Sequence, residues 1–120
     1  MEIDKDKLKK DLLEHADELQ ALMLERALLA KDYGDIVGKV NDYNDELTDD
    51  ISKNPEKYGY PIGERPQNYK IRAIVRQDTE YRSAEQKKRD YEYKLAVCEA
   101  KIEALKMKDA DYRCLLLHAD

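Results

Sequence analysis

The chain of 120 residues contains no Phe and no Trp, only three Pro and four Gly, and just two Cys and two His. With nine Tyr as its sole aromatics and 41% of residues charged, it lacks the material for a thick globular core. No run of 18 apolar residues occurs, which excludes a transmembrane helix, and no charged-then-apolar leader opens the chain. The expectation is a soluble cytoplasmic protein with no membrane partner. Cys98 and Cys114 lie sixteen residues apart on one expected helix. That spacing is about 24 Å along a helix axis, too far for a disulfide, and points to a reducing compartment.

The scarcity of histidine also limits metal chemistry. The string Glu14-His15-Ala16-Asp17-Glu18 has one histidine and lacks the i, i+4 pair that a zinc site on a helix needs. Cys114 and His118 are one turn apart and, with Asp111 or Asp120, make half a site. There is no glycine-rich phosphate loop, no Ser-His-Asp set and no dinucleotide fingerprint. The expectation is a non-enzyme with no catalytic residue, no metal and no cofactor.

What the chain does have is two heptad tracks. The first is Leu8, Leu12, His15, Leu19, Leu22, Arg26, Leu29, Tyr33, Ile36, Val40, Tyr43, Leu47. The second is Tyr81, Ala84, Lys88, Tyr91, Leu95, Cys98, Ile102, Leu105, Asp109, Tyr112, Leu116. Steps alternating between three and four average the 3.5-residue repeat of a coiled coil. The pattern predicts an all-α fold: one domain over 1–120, a long antiparallel helical hairpin with a first arm over about 4–51, a loop over about 52–68 and a second arm over about 69–118. Helices striped in this way need a partner stripe, so a homo-oligomer is expected. His15 and Arg26 read as polar seam positions that set register or stoichiometry.

Within the first arm Gly34 and Gly38 each weaken the helix by about 1 kcal/mol relative to Ala, which marks 33–39 as the place for a kink, a plain tolerance of glycine or a close helix approach. The loop holds all three prolines and two glycines. Its segment 58–62 could form a short extended piece, and Pro66 is suited to the first turn of the second arm.

Charge is unevenly spread. Residues 1–60 carry 9 Lys/Arg against 16 Asp/Glu, whereas residues 61–120 carry 13 against 11, and residues 65–94 alone carry 9 against 5. The basic stretch begins in a tyrosine-rich loop. Lys57, Tyr58, Tyr60, Arg65, Tyr69, Lys70, Arg72 and Arg76 combine cations that can follow phosphates with rings on which bases can stack, the composition of a single-stranded nucleic-acid site. Tyr69, Arg72 and Arg76 share a helix face by spacing. The bland reading, a tyrosine turn packed on the end of the hairpin, stays open. Lys87-Lys88-Arg89 would either prolong the basic track or form a solvated face.

The second arm resembles the C-terminal helical part of the UvsY-like recombination mediators of tailed phages. The resemblance is carried by the basic stretch with an Asp-centred turn at Gln77-Asp78-Thr79, then Tyr91, Leu95, Cys98 and the segment Ala100-Lys101-Ile102-Glu103-Ala104-Leu105-Lys106. Leu29-Ala30-Lys31-Asp32-Tyr33, followed by Gly34, is similar to a segment implicated in that family's strand binding. The resemblance covers about half of the chain and has no diagnostic motif. It implies a non-enzymatic protein that assembles into a ring, binds single-stranded DNA and helps a RecA-like recombinase displace single-strand-binding protein in the host cell cytoplasm. It adds Lys31 and Tyr33 to the binding candidates. The chain departs from the family in its acidic balance and longer first heptad helix, so DNA binding is expected to be weak and salt-sensitive. The alternative is a structural or adaptor coiled coil that binds a protein partner, as a scaffold or an inhibitor of a host protein.

Overall fold

The computed structural model describes residues 3–118. The described chain is all-α: α1 (Lys5–Lys53), a short 3-10 helix (Pro55–Tyr58), α2 (Asn68–Gln77) and α3 (Thr79–Leu117). The helix starts and stops follow from local chemistry. Asp4 Oδ1 accepts the Lys7 N–H at 3.0 Å, satisfying a donor that has no partner within the first turn of α1. At the other end, Pro55 disfavours helical backbone at Asn54, which leaves α1 with φ −129° and ψ 58°. Gly59 then adopts φ 84° and donates its N–H to Glu56 and Pro55, and Gly63 adopts φ 81°. Both positions need the left-handed region that L side chains avoid. The segment 58–62 is turn rather than an extended piece, because these glycines and the prolines close it into tight bends.

The second arm, expected as one helix, is two. Asp78 lies in extended backbone (φ −64°, ψ 131°), and its Oδ2 accepts the Tyr81 N–H at 3.0 Å. Its carbonyl accepts the Arg82 N–H at 2.9 Å. Asp78 is thus the N-cap of α3, and the Asp-centred turn read at Gln77-Asp78-Thr79 is a real break.

Gly34 and Gly38, by contrast, neither break α1 nor admit a close neighbour. The helix runs through both, and a Cβ added at either would meet nothing within 4 Å.

The chain packs as two compact units, one made of Met1–Lys31 with Tyr93–Asp120, the other of Asp32–Glu92. In each, the partner numbers fall as α1 numbers rise, so the segments are antiparallel. In the first unit, Cys98 donates its thiol to the Leu22 carbonyl at 3.3 Å, and His15 meets Asp109. Both Cys98 and the exposed Cys114 are free thiols. Ile102, Leu105, Cys98, His15 and Asp109 are buried there, while Leu8, Leu12, Leu19, Leu22, Arg26 and Leu29 are half-buried.

In the second unit, Ile51, Ile71 and Val75 form the core, with Leu47, Tyr58, Ile74 and Tyr81 packed around them. Ile71, Ile74 and Val75 recur at three and four residues, the spacing that gives α2 its apolar face. Every residue of the two heptad tracks is buried or half-buried, and the all-α antiparallel hairpin expected from them is the fold observed.

The polar seam pair has a definite geometry. His15 Nδ1 donates to Asp109 Oδ1 at 2.6 Å with both residues buried, and the Tyr112 ring lies 5.3 Å from the imidazole, centroid to centroid. A buried aliphatic side chain contributes about 1.5–3 kcal/mol, whereas a buried polar pair often nets close to zero against an apolar pair of similar size. The pair therefore acts on alignment: a slip of either helix leaves two buried polar groups unmatched.

Two expectations follow for stability. Gly34→Ala and Gly38→Ala should each raise it by up to about 1 kcal/mol in urea unfolding, since the helix is unstrained and the space is open; a loss at either position would mean that another surface approaches there. Asp109→Ala should cost about 1–3 kcal/mol by orphaning His15, while the double change His15→Leu with Asp109→Leu should be neutral or stabilising. A double variant less stable than Asp109→Ala would contradict the alignment role.

Candidate nucleic-acid interface

The basic and aromatic residues of the loop divide into those that hold the fold and those left facing outward. Tyr58 belongs to the first group. Its ring packs on the Ile51, Ile71, Val75 core, and its hydroxyl donates to Asp50 Oδ2 at 2.5 Å. The hydrogen bond to the Asp50 carboxylate, with burial, pushes the Tyr58 phenol up to about 12. Asp50 is correspondingly held below the ordinary carboxylate value, first by Tyr58 and then by the Asn54 amide. Lys57 reaches the same carboxylate at 3.5 Å. Arg65 is also committed to the loop, donating from Nε to Ser52 Oγ at 3.2 Å and from a terminal nitrogen to Asn68 Oδ1 at 2.9 Å.

The second group is Tyr60, Tyr69, Lys70, Arg72 and Arg76. The Lys70 ammonium sits 5.7 Å from the Tyr60 ring centroid and 5.9 Å from that of Tyr69, within cation–π range of both. Tyr60 is half-buried, whereas Tyr69 is 64% exposed, so one ring is braced and the other is open to a stacking partner. An open groove of about 420 Å³ runs beside them, lined by Tyr60, Pro61, Glu64, Arg65, Pro66, Gln67 and Lys70. Arg72 and Arg76 are exposed on α2 and make no ion pair among the described residues.

Lys31 and Tyr33 are not brought to this surface. Lys31 lies in the other unit, and Tyr33 stands eighteen residues before Ile51 on α1, roughly 27 Å at 1.5 Å per residue. The Tyr33 hydroxyl is also engaged, donating to Glu92 Oε1 at 3.1 Å, which with burial raises its pKa.

The run Lys87-Lys88-Arg89 is split by helix geometry, because successive residues point about 100° apart. Lys88 is half-buried on the seam side, Lys87 lines a cavity with Ile36, Lys39 and Tyr43, and Arg89 lines a separate notch with Arg76 and Arg82. Arg82 was not among the sequence-based candidates. The signal for it was present in the spacing of Arg82, Gln86 and Arg89 by four and three, which places them on one face.

Among the described residues no group of three or more His, Cys, Asp or Glu side chains is set to hold a metal ion. Cys114 and His118 are exposed near the end of α3, and Asp120 lies outside the described residues. No helix among the described residues is long and apolar enough to cross a membrane. No family model matches the chain, and no curated protein or solved structure matches it.

The Tyr58–Asp50 bond predicts a pH dependence with a definite sign. A phenol whose pKa is raised by folding stabilises the fold fully below its unfolded value near 10, and that contribution is lost as pH rises toward about 12. Asp50, held low, contributes above its ordinary value of 3.8, and that part is lost as pH falls. Thermal unfolding followed from pH 8 upward should show a falling midpoint, and Tyr58→Phe should start lower and fall less steeply. Equal alkaline slopes in the two proteins would show that the bond does not exist in solution.

Proposed function

We propose that the chain is a non-enzymatic single-stranded DNA-binding protein that self-associates and, in line with its resemblance to UvsY-like mediators, assists a RecA-like recombinase in displacing single-strand-binding protein. The observation that carries the DNA-binding reading is the Tyr60–Lys70–Tyr69 cluster, in which a cation is poised beside one braced ring and one open ring at the edge of a groove. A base stacked on Tyr69 contributes about 1–3 kcal/mol, and the exposed guanidiniums of Arg72 and Arg76 are free to meet the flanking phosphates. Each chain offers few groups to a strand and carries a net charge of −5, so binding is weak, salt-sensitive and dependent on assembly.

A second reading, an adaptor coiled coil that captures a protein partner, is favoured by one observation. Leu13, Leu24 and Leu28 are 71%, 63% and 58% exposed. Their spacing of eleven and four places them on one face of α1, away from the seam.

Fluorescence anisotropy of a labelled oligothymidylate, titrated at low and at physiological salt, separates the two. Saturable binding that weakens with salt is expected. Tyr69→Ala should weaken it by about 1–3 kcal/mol, and Arg72→Gln should lower the salt slope by about 0.7, the share of one neutralised phosphate on a single strand. Tyr58→Phe should leave affinity unchanged. Flat traces at both salts would remove the DNA reading and leave the exposed leucines as the functional surface.

A further inference from the structure

The break at Asp78 does more than divide the second arm. Between the last turn of α2 and the first turns of α3 lies a notch of about 690 Å³, lined by Arg76, Arg82, Ser83, Glu85, Gln86 and Arg89. All six side chains are polar, and the three guanidiniums outnumber the single carboxylate. Arg76 comes from α2 and the others from α3, so the break is what brings them around one space.

The carboxylate in this set is already engaged. Glu85 Oε1 accepts the Tyr81 hydroxyl at 3.0 Å, and Oε2 lies 4.0 Å from a terminal nitrogen of Arg89. Glu85 is thus shared between Tyr81 and Arg89, and its single charge offsets no more than one of the three guanidiniums. Arg76 and Arg82 make no ion pair among the described residues. Convergence of the two helices is also visible at the Tyr81 phenol. Burial and Glu85 raise its pKa, and the charges of both Arg76 and Arg89 oppose that rise.

We propose that this notch is a phosphate-binding site, with Arg76, Arg82 and Arg89 as its cationic ligands and the Ser83 hydroxyl as a neutral donor. Guanidinium forks match the paired oxygens of a phosphate, and an arginine donates bidentately where a lysine cannot. The net charge of the lining, +2 from three arginines and one glutamate, matches a free phosphate or monoester, which carries about −1.5 to −2 at neutral pH, or two successive phosphodiesters of a strand with one negative charge each. The volume exceeds that of a single phosphate, leaving room for the sugar or second phosphate of a larger molecule. The phosphate can come from a bound strand or from a free anion, and the chemistry of recognition is the same. The notch shares Arg76 with the proposed strand surface but none of Tyr60, Lys70 and Tyr69, so the responses of Arg82 and Arg89 test it independently of that surface.

The test is the arginine Nε–Hε region of 1H–15N spectra of the full chain. Inorganic phosphate and an oligothymidylate with a 5′-hydroxyl are titrated separately, with sodium chloride at matched ionic strength as reference. Saturable shifts of the Arg76, Arg82 and Arg89 resonances that chloride does not reproduce are expected. Arg82→Gln and Arg89→Gln should each weaken the response by about tenfold, the loss of one charge-assisted pair. Arg82→Lys should fall between, and Arg113→Gln, on the other unit, should change nothing. Shifts with inorganic phosphate identify a free anion as sufficient; shifts with the oligonucleotide alone identify the strand as the source. Still resonances in both titrations overturn the notch, even if anisotropy shows that the oligonucleotide binds elsewhere. Movement with phosphate beside a flat oligonucleotide anisotropy trace would keep the notch and remove strand binding.

Discussion

A pair of helices can bury one stripe on each partner and no more, and the rest of this structure depends on how that single seam is closed. Without Phe or Trp, the apolar part of the seam is built from Leu, Ile, Val, Tyr, one Ala and one thiol, and only a minority of these residues are fully buried. Such a seam is tolerant of sliding, because a leucine ladder shifted by one heptad still meets leucines. The buried His15–Asp109 pair removes that tolerance in the first unit, since a shift of one heptad in either direction would set His15 against Ile102 or Leu116 and leave both polar groups unmatched. In the second unit the Ile51, Ile71, Val75 core does the equivalent work through shape, with Tyr58 closing it from the loop.

The loop and the bend at Asp78 follow from the same constraint. Once α1 has ended at Lys53, ahead of Pro55, the chain has to return an apolar face to Ile51, and α2 does this with Ile71 and Val75. Asp78 then lets the chain change direction before α3 takes up the seam, by offering its carboxylate to the Tyr81 N–H in place of the helical partner that the break removes. The cost of interrupting a helix is offset by that cap. A consequence is that side chains from two different helices surround one polar space, which a straight second arm would not provide.

The heptad tracks were legible because a 3.5-residue period is imposed by burial itself, and each residue named in them sits on the seam side. The break at Asp78 was hidden from periodicity, since the apolar positions continue across it in phase; only the capping chemistry of an aspartate before Thr79 marked it, and that appeared through a family resemblance. Pairing of His15 with Asp109 was also out of reach. Each could be placed in a seam, but which meets which depends on the alignment set by the loop. Tyr58 and Tyr69 show the limit at the surface. Both are tyrosines in a basic stretch, and composition cannot tell a ring that stacks on a core from one that is open to a base. The aspartate eight residues before Tyr58 takes its hydroxyl, and no side chain among the described residues does the same for Tyr69.

On the proposed reading, magnitudes say how such a protein would work. One stacked base and two or three phosphates held per chain amount to a few kcal/mol, which corresponds to millimolar affinity or weaker for a single site. A net charge of −5, concentrated in the first sixty residues, adds long-range repulsion that low salt strengthens while it also strengthens the local attraction. Useful binding then requires several chains to hold one strand together, and effective concentration, not a stronger site, supplies the gain. The exposed leucines of α1 are the side chains on which such an assembly would be built, and they are the same side chains that an adaptor would use. Self-association and partner capture are therefore competing uses of one face, and which of them that face serves decides whether the weak basic surface matters at all.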